Sequence, residues 1–246
     1  MSKSEGKKTK ALFIDFDGTL TAEHTGGAVF IDLNDGDRCW RPGLGEGALS
    51  SNVASGEAGW TFRLLYDLVM TQKVCVAIVT MADEKHGDAL RRWLHIHPKE
   101  RSRWAVLAGR ELVLQWLGCA ARQTSCAHDD SERLVAEMLE SNRFFIDAHF
   151  HATSKAAHVR NSLGYFLQKG SLARETLRND NLLMIDDTFS ILSDIVEHFS
   201  GIDVEFVGSL GLCRQTFAQM LDHRSFLPSV VHPCENDIDK DENKQT

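Results

Sequence analysis

ALFIDFDGTL, residues 11–20, is an apolar run that stops abruptly on acid. Ala11, Leu12, Phe13 and Ile14 lead into Asp15, and Asp17 follows two positions later, ahead of Gly18 and Thr19. A short apolar run with a sharp end is what a strand buried on both faces looks like. Carboxylates crowded at the end of such a strand are costly, because like charges about 4 Å apart repel by about 4 kcal/mol at an effective dielectric near 20. Either their pKa values rise or a cation neutralises them.

Working outward, the same kind of run recurs. VCVAIVT (74–80), RFFIDAHF (143–150), NLLMIDD (181–187) and IDVEFVG (202–208) read as further strands. Between them, helical spacing predicts helices over 60–72, 82–96, 109–118, 129–142, 154–170, 189–200 and 211–224. Strands alternating with helices imply an α/β fold, a Rossmann-like and mainly parallel sheet flanked by helices. Ligands of such sheets bind beyond the carboxyl ends of the strands. Residues 22–59 are glycine-rich and irregular, a flap-like insertion in which AVFIDL and RCW flank NDGD as a hairpin.

The 246 residues suit one sizeable domain, expected over 11–228, between a basic flexible arm (1–10) and an acidic, disordered tail (229–246). A net charge of −8 with no dense Lys/Arg stripe disfavours nucleic acid as a partner. No stretch is apolar enough to span a membrane, and the start does not resemble a signal peptide. Six scattered cysteines without a CxxC pair favour reduced thiols and a cytoplasmic location, with export as a secreted effector left open. His149 and His151 share strand spacing but lack an obvious third metal ligand, and Trp93, Trp104 and Trp116 read as packing residues.

If parallel neighbours bring the ends of 11–16 and 181–187 together, Asp15, Asp17, Asp186 and Asp187 converge. An all-oxygen cluster with room for water suits Mg²⁺ better than zinc. Thr80 closes one strand, and Lys155 opens one helix. Carboxylates with a metal, a hydroxyl and an ammonium make a site for a dianion such as phosphate, whose transfer depends on positioning and charge neutralisation.

DFDGTL (15–20), Thr80, Lys155 and MIDD (184–187) resemble, in order, the four motifs of the haloacid dehalogenase superfamily, over about residues 10–210. The resemblance implies a phosphatase of the minimal-cap type. Asp15 would be the nucleophile that forms an aspartyl-phosphate, and Asp17 the general acid and base. Thr80, Met81, Lys155 and Gly18 would bind the phosphoryl group. Asp15, Asp187 and the backbone carbonyl of Asp17 would ligate Mg²⁺. Asp186 and Thr19 would support them, Asp186 beside Lys155 and Thr19 capping the following turn. Dehalogenase members lack an acid at the position of Asp17, so dehalogenation is disfavoured.

The chain departs from the family in two places. Asp186 stands where many relatives have Gly, and Ile191 where many carry a further carboxylate. Lys169 rivals Lys155 but closes its helix. The family's caps imply a flap at 22–59 and a small helical cap over about 97–142. CWRPG (39–43) resembles a segment of the phosphoprotein-directed branch. A lightly covered site suits a phosphorylated protein, phosphotyrosine included. The alternatives are a small phosphate ester and a catalytically idle binding module. The sequence does not fix the oligomeric state.

Overall fold

Ala11–Asp15 forms β1, and all five of its residues are buried. In the computed structural model the described residues are 10–21, 28–32, 57–81, 103–124, 128–148, 154–177, 181–208, 212 and 214–227. After β1 come β2 (Ala28–Asp32), α1 (Glu57–Met70), β3 (Cys75–Val79), β4 (Trp104–Ala108), α2 (Gly109–Arg122) and α3 (His128–Glu140). Then follow β5 (Phe144–Asp147), α4 (Lys155–Gln168), β6 (Leu182–Asp186), α5 (Phe189–His198), β7 (Ile202–Phe206) and α6 (Arg214–His223).

Five strands lie in the order β5-β3-β1-β6-β7, and every neighbouring pair is parallel. Strand residues alternate between the two sheet faces, and both faces are covered. Leu12, Ile14, Val76, Ile78, Leu183 and Ile185 share one apolar cluster with Phe62, Leu112, Trp116, Met138 and Phe217, from α1, α2, α3 and α6. Phe13, Ala77 and Met184 share the other with Val159, Leu163 and Phe166 of α4 and with Leu192 and Ile195 of α5. This is the flanked parallel sheet the sequence predicts. It explains the near-continuous apolar runs of β1, β3 and β6, whose residues are all buried.

Two segments find their partners far along the chain. AVFIDL does form a strand, but β2 pairs antiparallel with β4, from Ala28 opposite Ala108 to Asp32 opposite Trp104. Its expected hairpin partner, RCW, lies outside the described residues. Residues 97–142 supply no helical cap in their described part. Leu112, Trp116, Leu117 and Met138 are buried in the cluster that holds Ile14 and Ile78, so α2 and α3 belong to the layer against the sheet. Their apolar faces need that surface, which a cap over the strand ends would not give them.

Lys10, the last residue of the expected arm, is tied down. Its ammonium donates to the backbone oxygens of Arg224 (2.7 Å) and Ser225 (2.6 Å) and lies 4.9 Å over the Phe226 ring. The acidic tail, residues 82–96, and His149 and His151 fall outside the described residues. Among the described residues, no helix is long and apolar enough to cross a membrane.

Candidate active site

Strand register sets the carboxyl edge of the sheet. Asp15 pairs with Val79, Val79 with Asp147, Ile14 with Ile185, and Asp186 with Phe206. Asp15, Thr80, Asp147, Asp186 and Asp187 therefore stand along one edge. From β1 the chain adds β3 and β5 on one side, then crosses to add β6 and β7 on the other. The order reverses between β1 and β6, and at such a point parallel sheets bind ligands in the crevice beyond the strand ends.

The backbone turns sharply after Asp15. Gly18 has φ 75°, a left-handed conformation that a side chain disfavours. Thr21 closes this turn: its Oγ accepts the Gly18 N–H at 3.2 Å and donates to the Phe16 carbonyl at 3.2 Å. Thr19, expected in that capping role, does not take it. Its hydroxyl is buried without a hydrogen-bond partner.

Lys155, the first residue of α4, reaches into the crevice. Its ammonium donates to Asp15 Oδ1 and lies 3.6 Å from Asp186 Oδ2. All three side chains are buried. Asp186 Oδ1 accepts the Thr188 N–H at 2.8 Å, and the Thr188 hydroxyl donates to Asp187 Oδ1 at 3.3 Å. Carboxylate oxygens of Asp15, Asp186 and Asp187 lie within 4.8 Å of one another.

The electrostatics follow from one ammonium facing several acids. Burial pushes the Asp15 carboxyl up to about 7; Lys155 opposes the rise, while Asp186 and Asp17 add to it. Burial likewise raises Asp186, against Lys155 and the Thr188 N–H, with Asp187 adding to the rise. Burial alone would lower Lys155, but Asp15, Asp186 and Asp17 outweigh it and hold the ammonium above its usual pKa. The site is short of positive charge.

A divalent cation fits that shortage. The three grouped side chains offer oxygen only, Asp187 is half-buried, and Asp186 Oδ2 is buried with no hydrogen bond. Hard oxygen donors suit a hard divalent cation. Asp186 thus does more than neighbour Lys155: it belongs to the grouped acids, whereas the Asp17 carboxylate, half-buried in the turn, does not.

Thr80 is buried one step past the residue paired with Asp15, and Met81 beside it is exposed. Lys169 follows the last residue of α4, its ammonium 5.8 Å from the Tyr165 ring, so it is no rival to Lys155. Trp116 packs edge-on against Phe16 in the core, as a packing residue should. Sequence reasoning missed Asp147 and His158, both fully buried, with His158 Nδ1 3.3 Å from Asp147 Oδ1. A signal existed: FFID (144–147) ends on Ile-Asp as ALFID and LLMID do. No protein-family model matches the chain, and no match emerges among curated proteins or among solved structures.

Proposed function

We propose that the protein is a magnesium-dependent phosphomonoesterase of the haloacid dehalogenase type, working through an aspartyl-phosphate at Asp15. The buried contact of Lys155 with Asp15, beside Asp186 and Asp187, carries this proposal. A scaffold domain needs no ammonium buried among acids at a strand edge, because burying charge is costly.

Asp15, Asp186 and Asp187 would hold the metal. When bound, Mg²⁺ supplies positive charge that offsets the crowded carboxylates and the phosphoryl oxygens. The chain's own groups do the rest. A carboxylate oxygen of Asp15 attacks phosphorus, and the bond from phosphorus to the ester oxygen breaks. Asp17 gives its proton to that leaving oxygen, then takes one from the water that attacks the aspartyl-phosphate. Phosphate departs and Asp15 is regenerated. Lys155 and Thr80 hold the phosphoryl oxygens throughout.

For substrate, we favour a phosphorylated protein, with phosphotyrosine as the side chain. Phe189 and Phe206 are 71% and 51% exposed. They meet edge to face at 6.4 Å. Phe206 is the register partner of Asp186, and Phe189 follows Asp187 by two residues. Exposed aromatic rings beside a reactive centre favour an aryl leaving group.

Hydrolysis of para-nitrophenyl phosphate, with and without Mg²⁺, is the first test. Metal-dependent turnover that disappears in Asp15→Asn is expected. Turnover that survives this substitution would show that the nucleophile lies elsewhere. A panel of phosphopeptides and metabolite esters then reads specificity. Phe189→Ala should lower kcat/KM for phosphotyrosine peptides several-fold more than for alkyl phosphates. A marked preference for sugar or nucleotide esters would reject the protein substrate.

A further inference from the structure

Resting on the phosphatase reading above, we infer that Asp147 and His158 are positioning residues: a buried pair that fixes the phosphoryl-binding end of the site by locking the lysine-bearing helix to the ends of β3 and β5.

Asp147 ends β5 and has no exposed surface. Its backbone oxygen accepts the N–H of Thr80 at 2.9 Å. Its carboxylate faces α4: Oδ2 accepts from Asn161 Nδ2 at 2.8 Å, and Oδ1 lies 3.3 Å from His158 Nδ1. One residue therefore joins the threonine at the end of β3 to the helix that carries Lys155.

The spacing along α4 shows what this contact controls. Lys155, His158 and Ser162 are all buried, and steps of three and four residues place them on one helix face. Lys155 occupies the first helical position, where backbone N–H groups lack intrahelical partners and ends fray. Ser154 precedes it without making a side-chain capping bond. The first turn of α4 is instead gripped one turn further in, where His158 meets Asp147. That grip sets both the rotation and the axial position of the helix, and so where the Lys155 ammonium lies relative to Asp15.

Packing does not require these polar groups. Ala156, Val159, Leu163 and Phe166 already seat α4 on the sheet. A buried carboxylate and imidazole stabilise a fold no better than apolar residues of similar volume. What they add is direction: Asn161 donates a hydrogen bond to Asp147 and His158 lies against the same carboxylate, whereas an apolar contact tolerates several geometries. Displacing a catalytic group by about 1 Å lowers rates by about 100-fold, so direction matters here.

The test uses His158→Leu, His158→Gln and Asn161→Ala in the full chain. Asn161 is exposed, so its removal should leave the fold intact. With saturating Mg²⁺, His158→Leu should lower kcat for para-nitrophenyl phosphate by roughly 10- to 100-fold and weaken inhibition by inorganic phosphate, following the same displacement of Lys155. Mg²⁺ affinity should fall far less than kcat, because the acids that would hold the ion, Asp15, Asp186 and Asp187, stand at the ends of β1 and β6 and not on α4. His158→Gln, which keeps a polar group facing Asp147, should recover most of the loss, and Asn161→Ala should show a smaller loss of the same kind. The inference is overturned if folded variants keep wild-type kcat and phosphate inhibition. It is equally overturned if Gln does no better than Leu, or if activity merely tracks the folded fraction. A wild type that binds inorganic phosphate with Mg²⁺ but turns over no ester sinks the phosphatase reading alone; phosphate affinity of the variants, by calorimetry, then decides the positioning role. A wild type that neither binds phosphate nor turns over ester overturns both.

Discussion

Replacing Asp15 by asparagine should destroy activity and at the same time stabilise the metal-free protein near neutral pH. The Asp15 carboxyl is pushed up by burial from 3.8 to about 7 in the folded chain. In the unfolded chain it titrates near its ordinary value. Between those two limits the folded state binds a proton that the unfolded state has released, so stability falls as pH rises. The contribution is fully present below about pH 4 and is lost as pH passes through about 7. The window spans about three pH units at about 1.4 kcal/mol each, which is about 4 kcal/mol. For a chain of this size that is roughly 10 °C in melting temperature. Asparagine imitates the protonated carboxyl and removes the part of the slope that Asp15 contributes. Urea unfolding of wild type and Asp15→Asn, in chelator, at half-unit steps from pH 4.5 to 7.5, reads the difference between the two curves. Wild type should lose most of that amount relative to the variant. Saturating Mg²⁺ should flatten or reverse the wild-type slope, because the cation favours the ionised form. Parallel curves in chelator would refute the reasoning, since they would mean the carboxylate is not held in an acid-crowded, buried site.

Lys155→Met should lower turnover by about 100- to 1000-fold, the usual scale for removing one group that stabilises phosphoryl charge. Arginine should not rescue it, because a planar guanidinium does not match a site filled by a point charge; steady-state kinetics on both variants check this. Gly18→Ala should cost about 1–2 kcal/mol in urea unfolding, since alanine resists the left-handed φ of 75°. It should also reduce kcat by shifting the turn that carries Asp17. Gly59→Ala places a methyl 2.9 Å from the Gln123 side chain, where α1 meets the end of α2. It should destabilise by about 1–3 kcal/mol in urea unfolding.

The central strands of the large sheet were legible because each is walled on both faces and so reads as an apolar run. ALFID, CVAIV and LLMID could hardly be anything else at their lengths. β4 was not legible. WAVLA is short, leads directly into GRELVLQWLG, and gains its strand character from β2, its remote partner in sequence. The same limit hid the role of 97–142. Helical periodicity shows that a segment has an apolar face, but not which surface that face meets.

The candidate site divides along a similar line. Carboxylates at strand ends announce themselves, because their cost demands a partner. Which partner each one meets depends on strand order, and strand order is not written in any local pattern. Asp15, Asp147 and Asp186 each close an apolar strand after an isoleucine. β6 neighbours β1, so Asp186 shares Lys155 with Asp15 and joins the group that suits a metal. β5 lies at the edge, with β3 between it and β1, so Asp147 meets His158 and Asn161 further along the same helix. Three similar sequence signals thus acquire two chemistries. One helix, α4, reads both, offering Lys155 to the centre of the sheet and His158 to its edge. If that division is correct, exchanging the partners must fail asymmetrically. Asp186→Asn should weaken Mg²⁺ binding, whereas Asp147→Asn should leave Mg²⁺ binding intact and weaken phosphate binding, and calorimetry with each ion separately distinguishes the two.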